Sequence, residues 1–250
     1  MNKYIIVKLL FDFFVSIFFI IIVFPLMTVS LSLIFLSDFS NPLYISKRVG
    51  VNNKEFKMIK LRSMKINADK SGVDSTSSND IRITSIGKII RKYKIDELSQ
   101  FFNVILGNMS LVGPRPNVRS EISLYSDEEI RILSVKPGIT DFSSIVFSDE
   151  AQILEDQEDP DLAYNQLIRP WKSRLALIYI ENRSFVIDIK ILFITFISIF
   201  SRRTSIQLVL KVLKQINVSE DILDVCSRKN KLKPHSPPGH NDIVRSRNMK

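Results

Sequence analysis

Hydrophobic positions are unevenly spread along this chain, and their spacing divides it into segments of different kinds. Residues 9–36 form an almost unbroken apolar run, LLFDFFVSIFFIIIVFPLMTVSLSLIFL. On an insertion scale each Leu, Ile, Phe or Val contributes very roughly −0.3 to −0.6 kcal/mol, against about 3 kcal/mol for the single Asp12. The run is therefore expected to enter a bilayer. Lys8 lies four residues before Asp12, so the two can pair along a helix. As one helix the run would extend about 42 Å, more than the ~30 Å hydrocarbon core. Pro25 removes a backbone donor and predicts a kink, leaving arms of roughly 24 and 17 Å. Both flanks are basic: Lys3 and Lys8 before, Lys47, Arg48, Lys54 and Lys57 after. Basic flanks prefer the cytosol, which favours a helix that enters, bends at Pro25 and leaves on the same side. A tilted single-pass helix with a tolerated proline is the alternative. A cleaved signal peptide is not expected, because the run is too long and no A-x-A-like site follows it.

Beyond residue 37 the pattern becomes that of a folded soluble part. Asn41-Pro42 marks a turn, residues 47–53 read as a strand ending in a Gly/Asn turn, and Glu55–Met64 reads as the returning strand of a β-hairpin. Residues 69–80 are small and polar, which predicts a mobile loop. Ile86, Ile89, Ile90 and Tyr93 give Thr84–Tyr93 a helical period, and Asp96–Leu106 reads as a second helix stopped by Gly107. A turn-rich loop is expected over 108–116. Residues 149–161 are acidic and read as loop or short helix. Residues 164–182 read as an amphipathic helix interrupted or started at Pro170. Phe185–Phe200 is strongly apolar but carries Asp188 and Lys190 and is closed by Arg202 and Arg203. It reads as a core helix or one lying in a membrane interface, with the charge pair favouring the core. A short helical stretch follows residue 204. From Ser227 the chain is basic, contains Pro234, Pro237 and Pro238, lacks apolar periodicity and predicts disorder. The fold class is α+β and predominantly helical: a Pro25-kinked membrane helix over 1–37, a domain with a β-hairpin over 38–203, and a short helix with a basic tail over 204–250.

Composition narrows the chemistry. The 250 residues carry 35 Lys and Arg against 26 Asp and Glu, a formal charge of +9, which favours anionic partners. One cysteine excludes an internal disulfide, and two histidines, both in the tail, exclude most Ser/His and Cys/His hydrolase schemes. Phe residues cluster in the membrane run instead of alternating with Lys and Arg, which argues against nucleic acid. Asp96 and Glu97 follow the cationic stretch Lys88, Arg91, Lys92 and Lys94; further cations gather at Lys57, Lys60, Arg62 and Lys65, and at Arg115 and Arg119. Such clusters suit a diphosphate, whose oxygens arginine forks bind bidentately. A carboxylate attacking phosphorus would need that positive charge, with a divalent ion, to offset repulsion. Each feature alone has a plainer account. Acidic residues at a helix start complement its dipole, Gly113-Pro114-Arg115-Pro116 is a rigid turn, and Asp159-Pro160-Asp161, though it spells D-x-D, reads as a solvated acidic loop.

In order along residues 5–200, however, the chain resembles the bacterial sugar transferases, the monotopic polyprenyl-phosphate phosphoglycosyl transferases. The likeness rests on the Pro-broken membrane helix, Pro42-Leu43-Tyr44, Arg48-Val49-Gly50, Lys60-Leu61-Arg62-Ser63-Met64, Arg82-Ile83-Thr84, Gly87-Lys88-Ile89-Ile90-Arg91, Asp96-Glu97-Leu98-Ser99-Gln100-Phe101-Phe102-Asn103-Val104, Met109 to Pro116, and Lys136-Pro137-Gly138-Ile139-Thr140. The resemblance implies a cytosolic catalytic domain at the bacterial inner membrane. It implies transfer of a phosphosugar from a nucleotide diphosphate sugar, a UDP-sugar by likeness, to polyprenyl (undecaprenyl) phosphate. This is the priming step of capsule, exopolysaccharide, O-antigen or glycoprotein glycan assembly. Asp96 matches the nucleophile and Glu97 its partner at Mg²⁺. Arg91 matches a phosphate-binding arginine, Pro114-Arg115-Pro116 a motif at the nucleotide end of the donor, and Lys60 and Arg62 a basic pair. Membrane lipid is a partner, nucleic acid is not, and a homo-oligomer is compatible with this reading. The family's membrane segment is re-entrant and broken at Ser-Pro; here the break is Phe24-Pro25. Asn108 replaces a frequent Asp, and Asp141-Phe142-Ser143-Ser144 replaces a frequent Gly, so residues 141–161 are expected to shape a different sugar pocket. The rival reading is a non-catalytic membrane-anchored scaffold, which would bind assembly partners without consuming nucleotide sugar.

Overall fold

A computed structural model describes residues 3–68 and 75–246. The predicted loop over 69–80 therefore lies partly outside the described residues. Helix α1 (Lys3–Asp38) is continuous through Pro25. At about 54 Å it is longer than a bilayer core, and among the described helices it is the one long and apolar enough to cross a membrane. The hydroxyl of Thr28 donates to the carbonyl of Phe24 at 2.9 Å, and that of Ser32 to Thr28 at 3.0 Å. Both are i to i−4 bonds that satisfy these hydroxyls on the helix's own backbone.

One stripe of α1 rests on the rest of the protein along its whole length. Tyr4 and Lys8 both donate to Asp188, each at 2.9 Å. The predicted Lys8–Asp12 pair forms, at 3.9 Å, but Lys8 is closer to Asp188. Asp12, 4% exposed, accepts from the Ser110 hydroxyl at 2.6 Å. Phe19 stacks on Phe101 at 5.5 Å. Met27 and Ile34 are buried with Leu61 and Ile90. Asp38 receives the guanidinium of Arg62. With buried Ser16 and with Val23 and Leu31, which pack on the same cluster, these positions recur every three or four residues, the period of one helix face. The opposite face leaves Phe14, Phe18, Ile21 and Phe24 exposed.

The predicted hairpin is present. Strand β1 (Leu43–Val49) pairs antiparallel with β2 (Glu55–Leu61), Leu43 opposite Leu61 and Val49 opposite Glu55. The turn between them places Asn52 and Asn53 at positive φ, a conformation asparagine tolerates better than most residues. Helix α2 (Ser85–Lys92) starts where Thr84 accepts a hydrogen bond from Gly87 N at 2.9 Å. Helix α3 begins later than the sequence suggests, at Gln100, and ends at Ile105.

The expected loop over 108–116 contains a short strand. β3 (Ser110–Val112) pairs parallel with β4 (Gly138–Thr140), each of three residues. Contact at their ends is so close that side chains are excluded. A Cβ on Gly138 would stand 2.1 Å from Gly113 N, and one on Gly113 would stand 2.5 Å from Lys136 O. Short helices α4 (Arg119–Ile122) and α5 (Asp127–Ile130) separate these strands. After β4 come α6 (Phe142–Val146), α7 (Glu150–Ile153) and α8 (Pro160–Ala163). A π-turn over Tyr164–Ile168 leads into α9 (Arg169–Asn182), with Pro170 in its first turn. The acidic segment is not simply solvated. Asp161 is 9% exposed and accepts from Ser75 N at 2.7 Å, while Asp159 caps α8.

Helix α10 (Phe185–Phe200) divides the two readings of its sequence. Ile187, Asp188, Ile191 and Ile194 are buried, whereas Val186, Phe193, Phe196, Ile199 and Phe200 are exposed. Buried Asp188 is satisfied by Tyr4, Lys8 and the Tyr179 hydroxyl, the last at 2.7 Å. Helices α11 (Arg202–Gln215) and α12 (Glu220–Ser227) follow. Residues 228–246, expected to be disordered, run extended over α9. The carbonyls of Pro238, Ser236 and Val244 accept from Ser126, Arg174 and Gln166, and the His235 ring lies 4.6 Å from that of Trp171. Extended proline-rich chain needs no internal hydrogen bonds, so apolar periodicity is no guide to whether it docks.

Candidate active site

A cavity of about 630 Å³ opens between the hairpin, α2 and the α6–α7 segment, a size that suits a small-molecule ligand. Among the described residues its lining carries eight cationic side chains, Arg48, Lys60, Lys88, Arg91, Lys92, Lys94, Arg115 and Lys172. Three carboxylates, Glu97, Glu121 and Glu150, stand against them. That excess selects an anion.

Local structure explains how Asp96 and Glu97 reach this place. After α2 the chain turns at Lys94, whose φ is +54°, and Lys94 N bonds back to Arg91 O at 3.1 Å. Residues Ile95–Glu97 then form a single 3₁₀ turn. The dyad thus precedes α3 and does not open it, unlike the sequence expectation. Ile95 and Leu98 pack against the cluster containing Leu61 and Ile90, which places the intervening carboxylates between apolar anchors. Below them α3 is tied to β2. Asn103 accepts from Ile59 N at 2.9 Å and donates to Lys57 O at 2.7 Å, and the Ser99 hydroxyl donates to Ile59 O at 3.0 Å. These bonds set Lys60 beside the turn. Arg115 is set by the β3–β4 junction, where Gly113 N donates to Thr140 O at 3.0 Å and Gly138 N to Pro114 O at 2.9 Å.

The two carboxylates have different surroundings. Glu97 receives both terminal nitrogens of Arg115 and, at 3.3 Å, the Lys60 ammonium. Burial opposes its charge, but Arg115 and Lys60 overcome that and hold Glu97 well below the usual carboxylate range. Asp96 is 8% exposed; its backbone carbonyl accepts from the Ser99 hydroxyl, but its carboxylate has no hydrogen bond or ion pair with any described residue. Burial raises its pKa, Lys60 opposes that, Glu97 adds to it, and Arg91 and Arg115 oppose it more weakly. The Lys60 and Lys94 ammonium groups are pushed down, chiefly by burial. The site therefore holds one committed carboxylate and one uncommitted carboxylate. Lys88, Arg91 and Lys94 carry no ion pair among the described residues, so their charge is available to a ligand.

Of the residues singled out from sequence, Lys60, Arg91, Glu97, Arg115 and Pro116 line the cavity. Asp96 does not line the cavity but lies within electrostatic reach of Lys60, Glu97, Arg91 and Arg115. Pro114 fixes the turn through its carbonyl. Arg62 is engaged elsewhere. Its guanidinium holds Asp38 and the Asn41 carbonyl, tying β2 to the end of α1. Residues 141–161, expected from sequence to shape a pocket, supply part of the lining through Ser144, Phe147, Ser148 and Glu150, whereas Lys172, Tyr164 and the Ser75–Ser78 stretch line the cavity without being singled out by sequence. Lys172 pairs with Glu150 and stands 5.4 Å from the Tyr164 ring centroid. No sequence signal connects residues so far apart.

Comparison with known proteins adds independent findings. A family model described as bacterial sugar transferase matches residues 3–202. A UDP-N-acetylgalactosamine-undecaprenyl-phosphate N-acetylgalactosaminephosphotransferase of Aeromonas hydrophila is 36% identical over 175 residues, covering 68% of this chain and 38% of that protein. An uncharacterized sugar transferase of Bacillus subtilis is 33% identical over 196 residues, covering 76% of this chain and 85% of the relative. A UDP-glucose:undecaprenyl-phosphate glucose-1-phosphate transferase of Klebsiella pneumoniae is 33% identical over 197 residues, covering 75% and 39% respectively. The chain thus spans well under half the length of two of these relatives.

Proposed function

Since this chain belongs to the bacterial sugar transferase family, we propose that it transfers a phosphosugar from a UDP-sugar to undecaprenyl phosphate through a covalent intermediate on Asp96. The observation that carries this reading is the asymmetry of the dyad: a buried, unpaired Asp96 beside a Glu97 already neutralised by Arg115 and Lys60. In the first step an Asp96 oxygen attacks the phosphorus that bears the sugar. The bond to the bridging oxygen breaks, and UMP leaves with that oxygen. In the second step an oxygen of undecaprenyl phosphate attacks the same phosphorus, the Asp96–phosphorus bond breaks, and the free carboxylate returns. Covalent catalysis of this kind divides one difficult displacement into two. Arg91, Lys88 and Lys94 offer unpaired positive charge to the diphosphate, which offsets the repulsion a carboxylate nucleophile meets.

The donor set fits Mg²⁺. No cluster of three or more His, Cys, Asp or Glu suited to holding a metal occurs among the described residues, and Mg²⁺ is commonly held by one or two carboxylates together with substrate phosphates. Asp96 would hold it, joined by Glu97 on release of an Arg115 or Lys60 contact, and when bound it would neutralise diphosphate charge.

The fold suggests how the protein meets its lipid substrate. Both arms of α1 lie on the same domain through Lys8–Asp188 and Asp12–Ser110 on one side of Pro25, and Met27, Ile34 and Asp38–Arg62 on the other. A helix tethered in this way enters one leaflet and keeps both ends on the cytoplasmic side of the inner membrane. Cysteines introduced at Lys3 and Ser40 are expected to react with an impermeant maleimide from the same face, with little background because Cys226 is buried. Labelling from opposite faces would show a spanning helix.

The activity test offers purified full-length protein a panel of UDP-sugars with undecaprenyl phosphate and Mg²⁺, and follows UMP. Release with a particular sugar, dependent on the lipid phosphate for multiple turnovers, is the expected result. Silence across the panel, with retained binding to assembly partners, would favour the scaffold reading instead.

A further inference from the structure

The family match ends at residue 202, and the chain beyond it reaches back to the wall of the cavity. Helix α11 packs under α6; Val209 and Leu213 are fully buried in the same core cluster as Phe142 and Val146. An arginine comes forward from each end of the α11–α12 pair. Arg202, at the start of α11, donates from Nε to the Ser148 hydroxyl at 3.2 Å and sets Nη2 2.8 Å from Asp149 Oδ2. Arg228, just past α12 with φ +54°, sets its own Nη2 3.1 Å from the same oxygen. Its guanidinium carbon is 5.5 Å from the Phe147 ring centroid. Three successive residues, Phe147, Ser148 and Asp149, are therefore gripped from behind.

The other side of this segment faces the ligand space. Phe147, Ser148 and Glu150 line the cavity, and Asp149 does not. Glu150 pairs with Lys172, and the Ala151 carbonyl receives Ser78 N at 3.1 Å, which fixes the stretch across the mouth. The grip is polar at some cost. Asp149 Oδ1 and Arg228 Nε and Nη1 are buried without a partner among the described residues. Apolar packing would generally secure a helix junction at least as well as a partly satisfied buried ion pair. What the charged pair adds is a defined position for the loop between α6 and α7.

We propose that Asp149, held by Arg202 and Arg228, is a positioning residue that sets the α6–α7 wall of the cavity, so that the C-terminal segment governs how tightly the nucleotide sugar is held. The kinetic part of this rests on the transferase reading, whereas the structural part does not. The test compares full-length Arg228→Ala, Arg228→Lys and Asp149→Asn with the unmodified protein. Hydrogen exchange over 142–153 is expected to speed up in Arg228→Ala and Asp149→Asn. KM for the nucleotide sugar should rise about five- to tenfold with kcat changed by less than about twofold, the mark of lost binding common to ground and transition states. Arg228→Lys should restore most of both. If Arg228→Ala does not fold, the nearly isosteric Asp149→Asn carries the measurement. Unchanged exchange and KM in Asp149→Asn, or a fall in kcat alone, would overturn the proposal. Faster exchange over 142–153 in a protein that releases no UMP from any donor supports the grip and overturns the transferase reading.

Discussion

Asp96→Asn is expected to lose about 10⁴-fold or more in turnover, the scale seen when a covalent nucleophile is removed, while melting no lower than the unmodified protein at neutral pH. The two halves of this prediction have one cause. Asp96 is buried beside Glu97 and has no partner of its own, so its pKa is raised from an ordinary value near 3.8. A carboxyl whose folded pKa is raised binds its proton more tightly in the folded state than in the unfolded chain. Stability then falls as pH rises through the window between the ordinary and the raised value. Below that window both states are protonated and the group contributes nothing. Above it the folded protein carries a charge it would hold more cheaply unfolded, and Asn removes that charge. Melting curves at pH 4 and pH 7.5 should therefore show the variant gaining on the parent as pH rises. The acid limb of kcat/KM in the parent should likewise lie above the usual aspartate range, because the attacking group must be ionised. Turnover retained within tenfold in Asp96→Asn would remove the residue from the mechanism.

Arg169→Ala is expected to be the most damaging single change to stability. Glu129 is fully buried and Arg169 is 1% exposed. The guanidinium contacts both Glu129 oxygens, at 3.1 and 2.5 Å, and donates to Asn165 Oδ1 and the Leu124 carbonyl. Ser173 and Ser126 N supply further donors to the same carboxylate. Removing one partner from such a pair leaves an uncompensated buried charge and costs about 3–5 kcal/mol. At about 2–4 °C per kcal/mol for a chain of this size, the melting temperature should fall by roughly 6–20 °C. Arg169→Ala with Glu129→Gln should recover part of that, because the neutral amide removes the stranded charge. A melting temperature unchanged in the single variant would show that water or a neighbouring cation replaces the guanidinium.

Legibility of these features from sequence follows their range. The apolar run, the hairpin and α2 are local patterns with a period or a cap, and each lies where its residues predict. β3 and β4 are too short for alternation to be visible, and their pairing joins residues nearly thirty positions apart. The dyad is legible because Asp96 and Glu97 are adjacent and follow a run of cations. Its setting is not legible, because Lys94, a residue without the usual freedom for positive φ, turns the chain just after α2 and leads into a 3₁₀ turn. Arg62 looks, in sequence, as good a phosphate ligand as Arg115. Only the position of Asp38 at the end of α1 separates the two. On the cavity's far wall the 141–161 segment is legible by its departure from the family pattern, whereas Lys172 and Tyr164 reach the cavity only through contacts between distant segments and leave no local trace.

The stripe by which α1 rests on the remaining chain has a practical consequence. A water-soluble version cannot be obtained by cutting the first 38 residues away. The cut would unroof Leu61 and Ile90, leave Asp188 without its lysine, and free Ser110 and Arg62 from their carboxylates. Handling this protein therefore calls for something that covers the exposed apolar face of α1, such as detergent or a lipid disc, because the same helix is also a wall of the folded chain.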